Sequence, residues 1–414
     1  MLWIIDFSFY KGTFMKILQM NCWLNAGSTG KIVHAIDDYI KSRGDDSYVV
    51  YGLGDKSSNP NEFRTTPKLV RKAQSFRSRI TGYPYGGCIW GTSAAVGFLK
   101  KTKPDLVHIH CINGYMVNIY KVLSFLKENK IPTVITNHAE FMYTGGCTHA
   151  VECEKWKTGC FSCEKLCAEH PISYFFDQTN REWNLMKEAY LGFEKLYVCN
   201  VSDWLTERAR QSPFYKGYPV ETVYNGVDTE IFHYTGKKSC EQAGEKRPLI
   251  IHVTPNFYDK IKGGHYVIEM GRRCPEMDFL VIGSKARSEL KLPPNIRFMG
   301  QVSDQSVLAQ MYSNADVCLL TSMRETFSMV TAESLCCGTP VVGFEAGGPE
   351  SIALKEYSIF VDQGNVDAME NALRTMVKRK IDRERISNEA ACRYSKDEMC
   401  QQYYKIYKKL IGTS

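Results

Sequence analysis

Residues 324–348 read RETFSMVTAESLCCGTPVVGFEAGG and set two carboxylates, Glu325 and Glu333, around an apolar run. The preceding DVCLLTS predicts a strand, MRET its C-terminal loop and FSMVTAESLCCG the helix that follows. Glu325 is then a loop residue, and Glu333 lies about two turns into the helix. The backbone amides of Phe327, Ser328, Met329 and Val330 would be the donors left unsatisfied at that helix start, where the helix dipole favours an anion. A carboxylate ahead of a phosphate-binding helix can hold a sugar hydroxyl, and one further along can hold a ribose. Together they suit the binding of a nucleotide-sugar.

Three other stretches carry candidate chemistry. NAGSTGKI, residues 25–32, follows a predicted strand and opens a helix; its small residues let the backbone approach a phosphate, with Lys31 nearby. Ile32 after that lysine, where a Walker A loop needs Ser or Thr, excludes a P-loop. ITNHAE puts His138 at the C-terminal end of a strand, and His108 and His110 alternate on VHIH without an assigned role. GGCTHAVECEKWKTGCFSCEKLC holds Cys147, Cys153, Cys160, Cys163 and Cys167. Cys160 and Cys163 have the spacing of a zinc knuckle, which Cys147 and Cys153 could complete as a closed structural site; reduced core thiols, or a disulfide formed only on oxidation, are the alternatives.

The elements that must position these residues alternate regularly. From Met15, KILQMN, a glycine turn and KIVHAIDDYIKSRG lead to SYVVYG, DLVHIH, NIYKVLSFLKENK, PTVITNH, KLYVCNVS and ETVYNG. After a polar stretch the pattern restarts with PLIIHVTP and runs to YSIFVD, and SKDEMCQQYYKIYKKLI reads as a final amphipathic helix. The chain is therefore expected to be α/β, with two doubly wound, mostly parallel domains facing a cleft. The expected boundaries are an extension over 1–14, a first domain over 15–235 with a Cys-rich insertion near 143–170, a second over 236–393, and a C-terminal helix over 394–414. With 414 residues, two domains are the default.

A net charge of +7 suits an anionic ligand or an acidic membrane surface and is too small to imply nucleic acid, for which no recognition motif is found. No run approaches the ~18 apolar residues of a membrane span. Sixteen cysteines without a secretion signal predict a reducing, cytoplasmic setting. Residues 67–87, PKLVRKAQSFRSRITGYPYGG, combine five cations with apolar residues; they read either as a solvated amphipathic helix or as a contact with the inner face of an anionic membrane.

The run Glu325, Glu333, Cys337-Gly338-Thr339-Pro340-Val341-Val342 and Gly347-Gly348 resembles the signature of retaining family 4 glycosyltransferases of the GT-B fold, of the polysaccharide-building type. The resemblance extends from Met15 to the end. It implies that Gly27 and Gly30 bring the first domain onto the donor diphosphate, and that His138 touches the donor sugar. It places Lys262 on the diphosphate and base recognition near Gly283 and Val302. The arginine usual in that signature falls on Asn256 or Phe257; Lys260 is the available substitute, without the bidentate fork of a guanidinium.

The expected reaction is transfer of a hexosyl group from a UDP- or GDP-sugar to a glycan or polyprenyl-diphosphate-linked acceptor in surface polysaccharide synthesis. No Asp-x-Asp occurs, so diphosphate departure is expected without a catalytic metal or other cofactor. Lys262, the 27–31 loop and the helix amides would stabilise the leaving group while Glu325 and His138 hold the sugar, and no residue is identified as a nucleophile for double displacement. The alternatives are a GT-B sugar-nucleotide epimerase and a catalytically silent, nucleotide-binding scaffold.

Overall fold

Short runs rich in Val, Ile, Leu and Tyr form the strands of two parallel sheets. The computed structural model describes residues 14–150, 152–166, 173–236, 247–287 and 291–412. Thirteen of the fourteen residues read as an extension, parts of the Cys-rich and polar stretches, and Cys167 lie outside them. The first sheet is built from β1 (Lys16–Trp23), β2 (Asp46–Leu53), β3 (Glu62–Arg64), β4 (Leu106–Ile109), β5 (Thr133–Asn137), β6 (Leu196–Asn200) and β7 (Val220–Thr222), in the order β3-β2-β1-β4-β5-β6-β7. The second contains β8 (Leu249–Val253), β9 (Asp278–Ile282), β10 (Ile296–Gly300), β11 (Val317–Leu320), β12 (Val341–Phe344) and β13 (Ser358–Val361), ordered β10-β9-β8-β11-β12-β13.

Every pairing between these strands is parallel. The central strands β4, β5, β6, β11 and β12 are buried along their whole length, as expected where helices cover both faces of a sheet. The fold class is thus the expected one. Each sheet reverses its winding once, between β1 and β4 and between β8 and β11. Crevices at such switch points are where ligands bind in doubly wound sheets.

Among the first-domain helices, α1 (Gly27–Ser42) follows β1, while α2 (Lys68–Thr81) and α3 (Ile89–Thr102) lie between β3 and β4. The final helix, Lys396–Ile411, leaves the second domain and packs its Met399, Tyr403, Ile406 and Tyr407 with Ile17, Ile36, Leu106 and Val134 of the first. Tyr407 Oη meets His108 Nδ1 at 2.6 Å, and His108 Nε2 meets Thr136 Oγ1 at 2.8 Å. Burial holds His108 well below its ordinary pKa, so this imidazole is a neutral structural link between β4, β5 and the last helix.

The Cys-rich insertion hangs from a buried carboxylate. Glu140, fully buried, accepts from Arg208 Nε at 2.6 Å, from Tyr143 Oη at 3.0 Å and from the Ala150 amide at 2.5 Å. Arg208 in turn lies against the rings of Trp156 and Trp204. Replacing one member of a buried pair strands the other charge, so Arg208→Leu is expected to lose about 3–5 kcal/mol in urea unfolding. Adding Glu140→Gln to that variant should recover part of the loss; an equal or larger loss in the double variant would mean the pair does not anchor the insertion.

Candidate functional site

Both switch points deliver residues to the space between the domains. After β11 the chain turns through Arg324 and Glu325, and the Glu325 amide donates to the Ala346 carbonyl at 3.0 Å while the Gly348 amide donates to the Glu325 carbonyl at 2.8 Å. Gly348 must be glycine: a Cβ there would collide with the backbone of Thr326 and Phe327. The Glu350 carboxylate accepts from the Ala346 and Gly347 amides and fixes the opposite loop.

Lys262 comes from the 3-10 turn Lys260–Lys262 after β8, strapped to the end of β11 by Met323 N to Ile261 O at 2.8 Å and Thr321 Oγ1 to Lys262 O at 2.9 Å. Its ammonium pairs with Glu325 Oε1 at 2.6 Å, both side chains about a quarter exposed. Two residues predicted for separate roles thus form one ion pair.

The helix after Glu325 spans Met329–Cys336, starting two residues later than FSMVTAESLCCG suggests. Ser328 caps it from a left-handed backbone, φ 82°, uncommon for a residue with a side chain, and accepts from the Thr331 amide at 3.2 Å. Phe327 is buried between Tyr224 and Tyr394, so only its backbone is available to a ligand. Glu333 is the fifth residue of this helix, one turn in rather than two. It accepts from Tyr312 Oη at 3.4 Å, and burial pushes its carboxyl up to about 7 against the opposing pull of Lys31 and that hydroxyl.

Lys31 belongs to the first domain, yet it lines the same cavity of about 1070 Å3 as Glu333, with Gly27, Ser28, Pro255, Gln301 and Met329. Helix α1 starts at Gly27, φ 67°, with open space where a Cβ would stand and no side-chain cap on its first amides. Gly30 instead packs against Trp23 and Asn25, where a Cβ would crowd the backbone. Val330 is partly exposed beside Met329. Gly283 and Val302 sit one residue or strand away from the cavity wall, Gly283 pressed on Thr254 and Val302 packed against the core, and Lys260 is exposed outside it. At the arginine position Phe257 is buried among His252, Tyr258 and Phe298, which fills the space with aromatic surface.

His138 follows β5 and touches the second domain: its carbonyl accepts from Thr326 Oγ1 at 2.7 Å. Its Nε2 lies 3.1 Å from His110 Nδ1, and His110 Nε2 lies 3.3 Å from Gln19 Oε1. Gln19 Nε2 donates to the Val33 carbonyl at 3.1 Å, so the Gln19 oxygen must face His110. His110 therefore carries its proton on Nε2, its Nδ1 accepts from His138 Nε2–H, and His138 keeps Nδ1 as a bare acceptor. Burial holds His110 well below its ordinary pKa and His138 at about 4, so both rings are neutral. The alternation of His108 and His110 was the one sequence signal for this relay, and nothing in the sequence paired Gln19 with it.

On the other side of Glu325 lies a smaller cavity of about 220 Å3, lined by Arg324, Gly347 and Glu350 of the second domain and by His149, Trp204 and Arg208 of the first. The insertion reaches the centre here through His149. Cys147, Cys153, Cys160 and Cys163 line a separate cavity of about 350 Å3, with the Gly145 amide donating to Cys160 Sγ at 3.2 Å. Their sulfurs do not close into a tetrahedron: among the described residues, the three donor atoms lying within 4.8 Å of one another are those of His34, Asp37 and Asp38. These four thiols, as arranged, do not fit a closed zinc site, and Asp37 of the other trio is already paired with Lys41 at 2.6 Å.

Residues 30–231 match the model of Glycosyltransferase Family 4, and residues 239–393 that of Glycosyl transferases group 1. The chain is 24% identical over 211 residues to an N-acetyl-alpha-D-glucosaminyl L-malate synthase of Bacillus anthracis, covering 46% of this chain and 54% of that one. It is 36% identical over 172 residues to a GDP-mannose-dependent alpha-(1-6)-phosphatidylinositol dimannoside mannosyltransferase of Mycobacterium tuberculosis, covering 38% and 44%. The matches thus span about half the length of these curated relatives. Among solved structures, sucrose-phosphate synthase of Thermosynechococcus elongatus superposes with a TM-score of 0.70 at 15% identity, over 97% of this chain and 100% of the other. HepE of Anabaena in complex with UDP-glucose gives 0.59 at 18%, over 95% and 100%. These likenesses establish the GT-B fold.

The relay predicts a single His138 tautomer. In protein labelled at histidine nitrogen, the His138 ring should show a proton on Nε2 and none on Nδ1. Gln19→Leu should mix the tautomers and Gln19→Glu, which keeps an acceptor, should not. A wild-type proton on Nδ1 would contradict the assignment.

Proposed function

The chain belongs to glycosyltransferase family 4, with a group 1 glycosyl transferase carboxyl-terminal half, and from that premise we propose that it moves a hexosyl group from a UDP- or GDP-sugar to a glycan or polyprenyl-diphosphate-linked acceptor, retaining anomeric configuration. One observation carries the donor assignment: Lys31 and Glu333, from different domains, line one cavity beside the uncapped start of α1. A nucleoside diphosphate suits that arrangement, its ribose on Glu333 and its phosphates between Lys31, the α1 amides and Lys262.

In this mechanism the diphosphate leaves against fixed positive charge, without a resident metal. Glu325 and His138 hold the sugar. His138 offers an acceptor nitrogen, so the sugar presents a hydroxyl or amide N–H to it. The acceptor hydroxyl enters through the cavity formed by His149, Trp204 and Arg208, attacks from the face the diphosphate leaves, and passes its proton to a diphosphate oxygen. Closing the domains over the sugar keeps water out. Surface polysaccharide synthesis is the setting that best suits such an acceptor.

Calorimetry with UDP, GDP and ADP tests the donor site. One nucleotide should bind selectively, and Glu333→Ala should abolish that binding; no binding to the wild type by any of them would sink the assignment. An ionised Glu333 is the better ribose acceptor, so nucleotide affinity should rise as pH passes upward through about 7, and Glu333→Gln should flatten the profile. In the unliganded protein the sign is opposite. Burial favours the protonated carboxyl, whose contribution to stability is complete in acid and lost as pH climbs to about 7.

Once the donor is known, Lys262→Ala should lower kcat about 10²–10³-fold with KM changed far less, the signature of a lost leaving-group contact. Chelation by EDTA should leave the rate unchanged. A rate abolished by EDTA and restored by Mg2+ would contradict metal-independent departure.

A further inference from the structure

The chain passes between the domains twice, and the two crossings are laced together. The first follows β7, and the second joins the helix Arg383–Tyr394 to the helix Lys396–Ile411. The Val227 amide donates to the Tyr394 carbonyl at 2.7 Å, and the Lys396 amide donates to the Val227 carbonyl at 2.9 Å. Lys396 Nζ pairs with Asp228 Oδ2 at 2.8 Å, and Gly226 lies so close to the Lys396 backbone that a Cβ would collide with it. A few element-terminal residues joined at one place are the form a domain hinge takes.

The loop after β11 is tied to this hinge by aromatic contacts. The buried Phe327 ring has its centroid 6.2 Å from that of Tyr224 and 6.5 Å from that of Tyr394. Tyr224 stands just ahead of the first crossing and Tyr394 just ahead of the second, and Arg393 Nη2 donates to Tyr224 Oη at 2.8 Å. Close-packed interiors transmit displacement, so a rotation at the hinge moves the surface against which Phe327 rests.

Thr326, one residue earlier, ties the same loop to the first domain. Its Oγ1 donates to the His138 carbonyl at 2.7 Å. His138 stands one residue past the last registered pair of β5 and β6, Asn137 with Asn200, so this carbonyl lies beyond the sheet ladder. The His138 ring is held from within the first domain by His110, and the Glu325 carboxylate from within the second by Lys262. The Thr326 bond joins the segments of these two sugar-holding residues directly. A second hydrogen bond between the domains, from the Trp204 amide to Ser351 Oγ at 3.3 Å, reaches neither of them.

We propose that Thr326 is a positioning residue for sugar transfer: its hydroxyl latches the Glu325 loop onto the His138 backbone as the hinge closes, so that both side chains meet the sugar in a fixed relation. Phe327 couples that loop to the hinge. The latch touches no part of the nucleotide, whose ribose and phosphates are assigned to Glu333, Lys31 and Lys262. Its loss is therefore felt in the alignment of the reacting groups, where small misplacements are costly in rate, and not in donor affinity. A misaligned cleft also admits water, which then takes the sugar in place of the acceptor hydroxyl while the diphosphate leaves as before. The proposal rests on the transferase reading for the roles of Glu325 and His138, whereas the latch itself can be read without turnover.

The test compares Thr326→Val, which keeps the shape and removes the hydroxyl, with Thr326→Ser, which keeps the hydroxyl. With the donor identified, Thr326→Val should lower kcat for transfer about 10–100-fold with donor KM within about twofold, and should raise the share of donor lost to water. Thr326→Ser should recover most of the rate. The His138 ring is fixed by His110, so its tautomer should be the same in all three proteins; a tautomer changed in Thr326→Val would trace the loss to the ring and overturn the latch. Hydrogen exchange read by mass spectrometry needs no turnover: the peptide covering residues 323–330 should exchange faster in Thr326→Val than in the wild type or Thr326→Ser. A wild-type kcat in Thr326→Val, equal losses in the valine and serine variants, or a raised KM at unchanged kcat would each overturn the proposal. If the wild type binds no nucleotide and transfers no sugar, the transferase reading fails instead. Exchange alone then decides the latch, and equal exchange with valine and threonine at 326 overturns it.

Discussion

The site depends on how closely two loops of the second domain approach. Gly348 lies on the backbone of Thr326 and Phe327 with no space for a Cβ, and the Glu325 peptide bridges to Ala346 and Gly348. That approach fixes the direction in which the chain leaves β11. It aims the Glu325 carboxylate at Lys262, the Thr326 hydroxyl at the His138 carbonyl, and the strained Ser328 into its cap. A side chain at 348 would displace all three at once, because they stand on one short turn, residues 325–328.

The electrostatics follow from where this turn sits. It lies against the first domain through the Thr326 hydroxyl and the His138 carbonyl, beside side chains that burial drives toward their neutral forms. His110 and His138 stay neutral and hold each other's tautomer, while Glu333 is balanced near neutrality between burial and the pull of Lys31. In the proposed mechanism Lys31 and Lys262 contribute to a departing diphosphate through their fixed positions at the cleft, both being partly solvated.

Much of this was legible in the sequence because it is local. The strand–turn–helix alternation predicts two parallel sheets, and the spacing of Glu325, Glu333 and Gly347-Gly348 predicts a loop, a helix and a second loop in register. What was not legible depends on contacts between distant segments. Gln19 meets His110 only because β1 and β4 are neighbours, and Lys262 meets Glu325 only because β8 lies beside β11. Gly30 looks like a phosphate-loop glycine by spacing, yet its space is taken by residues 23–25. The cysteine spacing suggests a metal, but spacing constrains sulfur positions too weakly when the intervening residues fold around Glu140 and Trp156 instead.

The Lys262–Glu325 pair shows how the site can be ready without being blocked. With both side chains about a quarter exposed, the pair is worth little net, in the range of about 0–1 kcal/mol typical of partly solvated ion pairs. A diphosphate offers Lys262 a more concentrated negative charge, so the ammonium can exchange partners at small cost. Glu325 is then released to accept from a sugar hydroxyl, at the moment the sugar arrives attached to that same diphosphate. Were the pair fully buried, breaking it would cost several kcal/mol and the donor would have to supply that energy from its own binding. The partial exposure of the two side chains therefore matters to the proposed mechanism: it holds the lysine in position in the unliganded protein while leaving both groups available to the donor.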